Sequence, residues 1–158
     1  MSDVVNNYEV QVKTVARVPT AIVRGNARSD NMSKDIRRLF DEFYAAPPPG
    51  VPRGLNVVFY RHTSGEPIPP EGIAIEVGVQ ISAPCENHGK VSCSFTPGGT
   101  VVTVTHWGDY GKLGSAYDAL RQWSKESGRK FAGPFWEVYG HWSDDPAQVR
   151  TDVFQLLA

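Results

Sequence analysis

The sequence predicts an α+β fold with two-fold pseudosymmetry: a helix packed on each of two antiparallel half-sheets, and a cleft on the seam between the halves. Three observations lead there. Short runs alternate apolar and polar residues with the period of two that a half-buried strand requires. Two longer segments space their apolar residues at i, i+3, i+4 and i+7, which is one face of a helix. The order of these elements recurs after about half the chain, over residues 8–82 and 90–158. Residues 1–158 are expected to form one domain, a length that buries most of its apolar side chains.

Each element has a local cause. Tyr8-Glu9-Val10-Gln11-Val12-Lys13 alternates strictly and predicts a strand; Val18-Pro19 interrupts it, and Thr20 to Gly25 resumes extended structure up to a turn rich in Asn, Asp and Ser. From Asn31 to Ala45, Ile36, Leu39, Phe40 and Phe43 share a helix face. Lys34, Arg37 and Arg38 read as the solvated side of that helix. Pro47-Pro48-Pro49 ends it, because proline lacks the amide hydrogen and clashes with the preceding turn. Leu55 to Arg61 and Ile73 to Ile81 are rich in β-branched and aromatic residues and predict two strands, joined by a loop holding Gly65, Pro67, Pro69, Pro70 and Gly72.

From Val91 the same events recur. V-S-C-S-F is followed by a Pro97-Gly98-Gly99 break, an extended run from Thr100 to Trp107 and a glycine-rich turn. The next helix, about Leu113 to Glu126, sets Leu113, Ala116, Tyr117, Leu120 and Trp123 on one side and stops at Ser127-Gly128. Strands from Phe135 to Tyr139 and Thr151 to Leu157 complete the series. Laying Thr20 on Thr100 also lays Ile36 on Ala116, Phe40 on Leu120 and Phe43 on Trp123. A register one residue shorter lays Gly54 on Gly133, Tyr60 on Tyr139 and Val58 on Glu137.

Composition narrows the function classes. Hydrophobic residues at 41% and charged residues at 21% argue for a folded chain over a disordered one. The 16 basic and 17 acidic side chains leave a formal charge of -1, which speaks against a nucleic-acid surface. No apolar run approaches the ~20 residues of a membrane span, and Met1 to Asn7 lacks the basic-then-apolar pattern of a signal peptide. A cytoplasmic protein with no membrane partner is expected. Cys85 and Cys93 flank His88, but two thiols and one imidazole fall short of the four ligands of a structural zinc, so they read as free thiols and no metal is expected.

One stretch resists a purely structural reading. In G-P-F-W-E-V-Y-G-H-W, the carboxylate Glu137 shares a strand face with Phe135 and Tyr139, while Trp136 and Val138 share the other. The twin strand manages with Val58 at that position, so the acid is not required by the strand. A buried carboxylate without a partner costs several kcal/mol or takes up a proton. It pairs with an arginine such as Arg150 or Arg61, reaches solvent, or waits for a ligand that brings a cation. Candidate walls for such a ligand are Trp107, Tyr110, Phe135, Tyr139 and Trp142, with Tyr60 as the counterpart from the first half; Trp136 reads as core beneath a helix. Glu76, a second carboxylate in an apolar strand, is a further groove candidate. The histidines His62, His88, His106 and His141 read as surface or capping residues.

The run T-V-T-H-W-G-D-Y-G-K-L-G-S-A-Y-D-A-L-R-Q-W, then G-P-F-W-E-V-Y, then V-R-T-D-V-F-Q-L-L resembles the GyrI-like family, also described as the effector-binding domain of AraC-type and MerR-type bacterial transcription activators. V-P-T-A-I-V-R-G and E-V-G-V-Q-I extend the likeness over nearly the full chain. The resemblance implies a pair of β-α-β-β modules around a groove that binds small, often cationic and aromatic molecules, with a strand glutamate at its centre. By position that glutamate is Glu137, and the aromatic of the H-x-G-x-Y turn is Tyr110. Where the family commonly has proline before that tyrosine, this chain has Asp109, read as a helix cap. Activators of the family carry a helix-turn-helix before this domain; the repeat here begins at Tyr8, so a stand-alone form is expected.

Three functions follow. The first is a binding module for small hydrophobic, cationic or planar aromatic compounds, without chemistry. The second is a hydrolase that opens strained electrophilic rings, with Glu137 as general acid or base beside Tyr110 or Tyr139. The third is a protein partner, after the gyrase inhibition in the family's name. No cofactor is expected; haem, bound by a distant relative of the fold, is disfavoured because no histidine is clearly placed in the groove.

Overall fold

Strands form where the sequence alternates, and the helices form where apolar residues take helical spacing. The structure is a computed structural model that describes residues 2–50 and 52–158, with Met1 and Val51 outside the described residues. In chain order the elements are β1 (Ser2–Val5), β2 (Tyr8–Val15), β3 (Val18–Ala27), α1 (Met32–Ala45), β4 (Arg53–Tyr60) and β5 (Ile73–Ile81). There follow β6 (Ser92–Thr96), β7 (Gly99–Trp107), α2 (Gly114–Ser127), β8 (Phe131–Tyr139) and β9 (Arg150–Leu157).

The α+β expectation holds, but the sheet is one rather than two. Among the described residues nine strands form a single antiparallel sheet in the order β1-β2-β7-β9-β8-β4-β5-β3-β6. Edge strands cross between the halves: β2 pairs with β7, and β6 pairs with β3. The alternation that begins at Tyr8 does not predict β1, which hairpins onto β2 through Asn6 and Asn7 at φ 49° and 68°. Asparagine tolerates that left-handed pair better than most residues, the geometry a tight hairpin requires.

Both helices cover the same face. Leu39 and Phe43 of α1 pack with Val23, Val58 and Val77, while Ala116, Leu120 and Trp123 of α2 pack with Val102, Val104 and Val153. Leu39 lies directly over Gly25, where an added Cβ would stand 2.6 Å from a Leu39 methyl, so glycine there lets α1 approach β3. At the far end of α2, Gly128 takes the left-handed cap at φ 73°. Complete burial of Phe43 and Leu39 stabilises the fold by about 1.5–3 kcal/mol each. Trp136 is buried, but on the face away from the helices, where it stacks on Phe154 at 5.5 Å and meets Phe59 at 6.0 Å. This corrects its expected place beneath a helix; strand parity separates it from Glu137 but does not say which face the helices take. Among the described residues no helix is long and apolar enough to cross a membrane.

Candidate functional site

The middle strand of the sheet is β8, and Glu137 is the third residue from its C-terminal end, opposite Val58 on β4 and Val153 on β9. Those partners face the helices, so Glu137 does too, at 3% exposure. Neither arginine proposed as its partner reaches it: Arg61 pairs with Glu76 and Arg150 with Asp152. Among the described residues no ion pair involves Glu137. Three phenols hold it instead. Tyr60 donates to Oε1 at 3.0 Å, Tyr139 also donates to Oε1, and Tyr117 donates to Oε2.

Each donor arrives by a different route. Tyr139 is two residues along β8 and therefore on the same face. Tyr60 ends β4, one pair beyond the position opposite Trp136. Tyr117 comes down from α2. Burial pushes the Glu137 carboxyl above its ordinary 4.5, and the bonds from Tyr117, Tyr139 and Tyr60 pull it back. Burial, and then the charge of Glu137, push all three phenols well above their ordinary 10.0, so they remain protonated donors. The result is a desolvated carboxyl group supplied with hydrogen bonds but with no ion-pair partner among the described residues.

Two cavities open beside it. One, of about 560 Å³, lies between α1 and the segment carrying Tyr110 and Trp142; the other, of about 640 Å³, lies between α2 and the β4–β5 connection. Met32, Tyr60 and Glu137 line both, which makes them two lobes of one groove. Tyr110 stands edge-on to Tyr139 at 5.3 Å and meets Trp142 at 6.3 Å. These two rings are exposed, at 42% and 70%, and form the rim of the first lobe. Phe135 stacks on Tyr60 at 4.5 Å and meets Tyr117 at 5.6 Å, on the side of the second lobe. Arg37, expected on the solvated side of α1, is exposed but stands at the first lobe.

Other expected residues lie elsewhere. Trp107 ends β7 beneath the guanidinium of Arg150, 5.5 Å away, and lines a separate concavity of about 760 Å³ with Thr103, Thr105 and Asp152. Its strand turns Val102, Val104 and His106 toward the helix side, so parity sends Trp107 the other way. Glu76 is opposite Phe59 on the face away from the helices, where it accepts from Arg61 and from Ser94 (2.6 Å) and lies 3.5 Å from Arg24. It is a buried structural ion pair outside the groove. His106 is buried, not a surface residue: its Nδ1 meets the Tyr8 hydroxyl at 2.8 Å and its Nε2 donates to the Asp109 carbonyl at 3.0 Å. Asp109 precedes a short 3-10 turn, Tyr110–Lys112, and its side chain makes no capping bond, so it is not the cap of α2. Tyr117 escaped the sequence reading because it shares the apolar stripe of α2; the signal available was a phenol that needs a partner in a core-facing position. Cys85 and Cys93 are free thiols. Among the described residues no group of His, Cys, Asp and Glu is placed to hold a metal ion.

A family model described as GyrI-like small molecule binding domain matches residues 8–156. No curated protein matches the sequence significantly. Among solved structures, the EcmrR C-terminal domain aligns with a TM-score of 0.73 at 19% identity, covering 96% of this chain and 98% of that one. SAV2435, solved bound to tetraphenylphosphonium, aligns with a TM-score of 0.66 at 9% identity, covering 95% and 94%. A hydrolase encoded by lin2189 from Listeria innocua gives 0.58 at 12% identity, covering 94% and 91%. At these identities the likeness is one of fold.

Proposed function

Because the chain belongs to the GyrI-like small molecule binding domain family, we propose that its groove captures small hydrophobic cations, planar or aromatic, and that Glu137 supplies their countercharge. One observation carries this reading: the carboxyl group at the centre of the sheet is 3% exposed, held by three tyrosines, and in no ion pair among the described residues. Holding an anion there is costly, and a cation that enters with the ligand recovers the loss. Tyr60, Tyr110, Tyr139 and Trp142 add ring faces, each worth ~0.5–2 kcal/mol to a well-placed cation. The tetraphenylphosphonium in SAV2435, a protein of the same fold, supports this ligand class.

The groove is the seam of two pseudosymmetric β-α-β-β modules in this reading. Support comes from strand order, β6-β3-β5-β4 from one end matching β2-β7-β9-β8 from the other, with β1 as an addition. Val58 and Glu137, equivalent in the repeat, face each other across the β4–β8 pair. The test is titration of tetraphenylphosphonium by tryptophan fluorescence. Opposite charges about 5 Å apart at an effective dielectric of ~20 interact by about 3 kcal/mol. Glu137→Gln is therefore expected to weaken binding on the order of 100-fold. Equal affinity would sink the proposal.

A second reading, hydrolysis of strained electrophilic rings, is favoured by the upward push on the Glu137 carboxyl, which suits a proton carrier beside phenol donors. Incubation with a cyclopropane-bearing alkylator and mass spectrometry of the products decides it. Ring-opened product absent in Glu137→Gln supports hydrolysis; no turnover by the wild type across several such compounds leaves binding.

A further inference from the structure

The two lobes that meet at Glu137 differ in chemistry. In the first, Ile36, Phe40, Tyr110 and Trp142 offer an apolar and aromatic lining, with the exposed Arg37 as its one charged group besides Glu137 among the lining residues. In the second, Ser64, Glu66, Asp118 and Arg121 ring the opening above Phe135. Two carboxylates stand there against one guanidinium. Arg121 is already bonded to Asp118, while the Glu66 carboxylate enters no ion pair among the described residues; its backbone is engaged at both ends, the amide donating to the Thr63 carbonyl and the carbonyl accepting from His62. Glu137 lines both lobes, so the second, about 640 Å³ in size, is continuous with the first at the carboxyl group.

We propose that the ligand has two arms: an aromatic cationic head in the first lobe against Glu137, and a flexible arm ending in a protonated amine in the second, beside Glu66 and Asp118. This rests on the cation-binding reading above and names the ligand's second half. The head is selected by a buried charge and rings, and the arm by exposed carboxylates. The two contributions therefore differ in salt dependence, since exposed pairs are screened at a Debye length of about 8–10 Å while buried ones are screened much less.

The test uses three probes: an acridinium dye, the same dye with a short aminoalkyl arm, and the same dye with a methyl-terminated arm of equal length. The amine-armed dye is expected to bind roughly three- to tenfold tighter than the head alone at low salt, a gain that fades in molar salt, while the methyl-terminated dye shows no such gain. Two variants read the second lobe through the ratio of amine-armed to head-only affinity. Glu66→Gln removes the free carboxylate. Gly114→Leu places a side chain at the lobe, at a position where an added Cβ meets nothing within 4 Å. In both the ratio is expected to fall to about one. No gain from the amine, an equal gain from the methyl-terminated arm, or a ratio untouched by both variants overturns the two-armed ligand while head binding that depends on Glu137 leaves the parent reading standing. Head binding indifferent to Glu137→Gln overturns both.

Discussion

Removing the Tyr117 hydroxyl separates a residue that tunes Glu137 from one that merely touches a ligand. Tyr117→Phe keeps the ring against Phe135 and deletes one of three hydrogen bonds to the carboxyl group. A hydrogen bond to a charged acceptor contributes about 1.5–3 kcal/mol and one to a neutral acceptor about 0.5–1.5, so the ionised form loses about 1–1.5 kcal/mol more than the protonated form. That corresponds to about one pK unit. Because this bond pulls the Glu137 pKa down, its loss moves the pKa up. The assay is calorimetric titration of tetraphenylphosphonium across pH. The midpoint of the affinity rise is expected to move up by about one unit, with affinity about tenfold weaker below the midpoint and undiminished well above it. A loss of affinity equal at every pH would refute the tuning role and make Tyr117 a contact residue.

Two further outcomes follow from the same geometry. The Glu137 carboxyl is raised above 4.5 in the folded state, so its contribution to stability is complete below the unfolded value and is lost as pH rises through the folded value. Thermal melts of the ligand-free protein should show that slope, and Glu137→Gln should remove it, whereas cation affinity should rise over the same window. Glu76→Gln breaks a buried pair whose arginine partners are about half exposed, so a loss of about 1–3 kcal/mol in urea denaturation is expected, discounted from the 3–5 of a fully buried pair. Its tetraphenylphosphonium affinity should stay within about twofold, because Glu76 lies on the other face of the sheet.

Elements with a strong local pattern were legible from the residues alone. Ile73–Ile81 and the two helices came out within a residue or two, because alternation and helical spacing are local properties. The exchange of edge strands was not legible, since nothing in Tyr8–Val15 marks β7 as its partner. Glu137 stands out because laying one half of the sequence on the other sets it against Val58, a valine in a strand of similar pattern. Tyr117 did not, because a phenol in an apolar helical stripe reads as core until its hydroxyl is followed. Glu76 and Glu137 look alike in sequence, each a carboxylate in an apolar strand. What distinguishes them is distant in the chain: Arg24 and Ser94 reach one, Tyr60 and Tyr117 the other. Trp107 failed for a related reason, as aromatic content does not reveal which face of β7 meets a helix.

The central claim is that the groove selects charge through Glu137, and a matched pair of ligands tests it most directly. Tetraphenylphosphonium and triphenylphosphine oxide present similar aromatic surfaces, one cationic and one neutral. Calorimetric titration of both at neutral pH is expected to show the wild type preferring the cation by at least tenfold and Glu137→Gln binding the two alike. A wild-type protein that binds them equally would contradict the account.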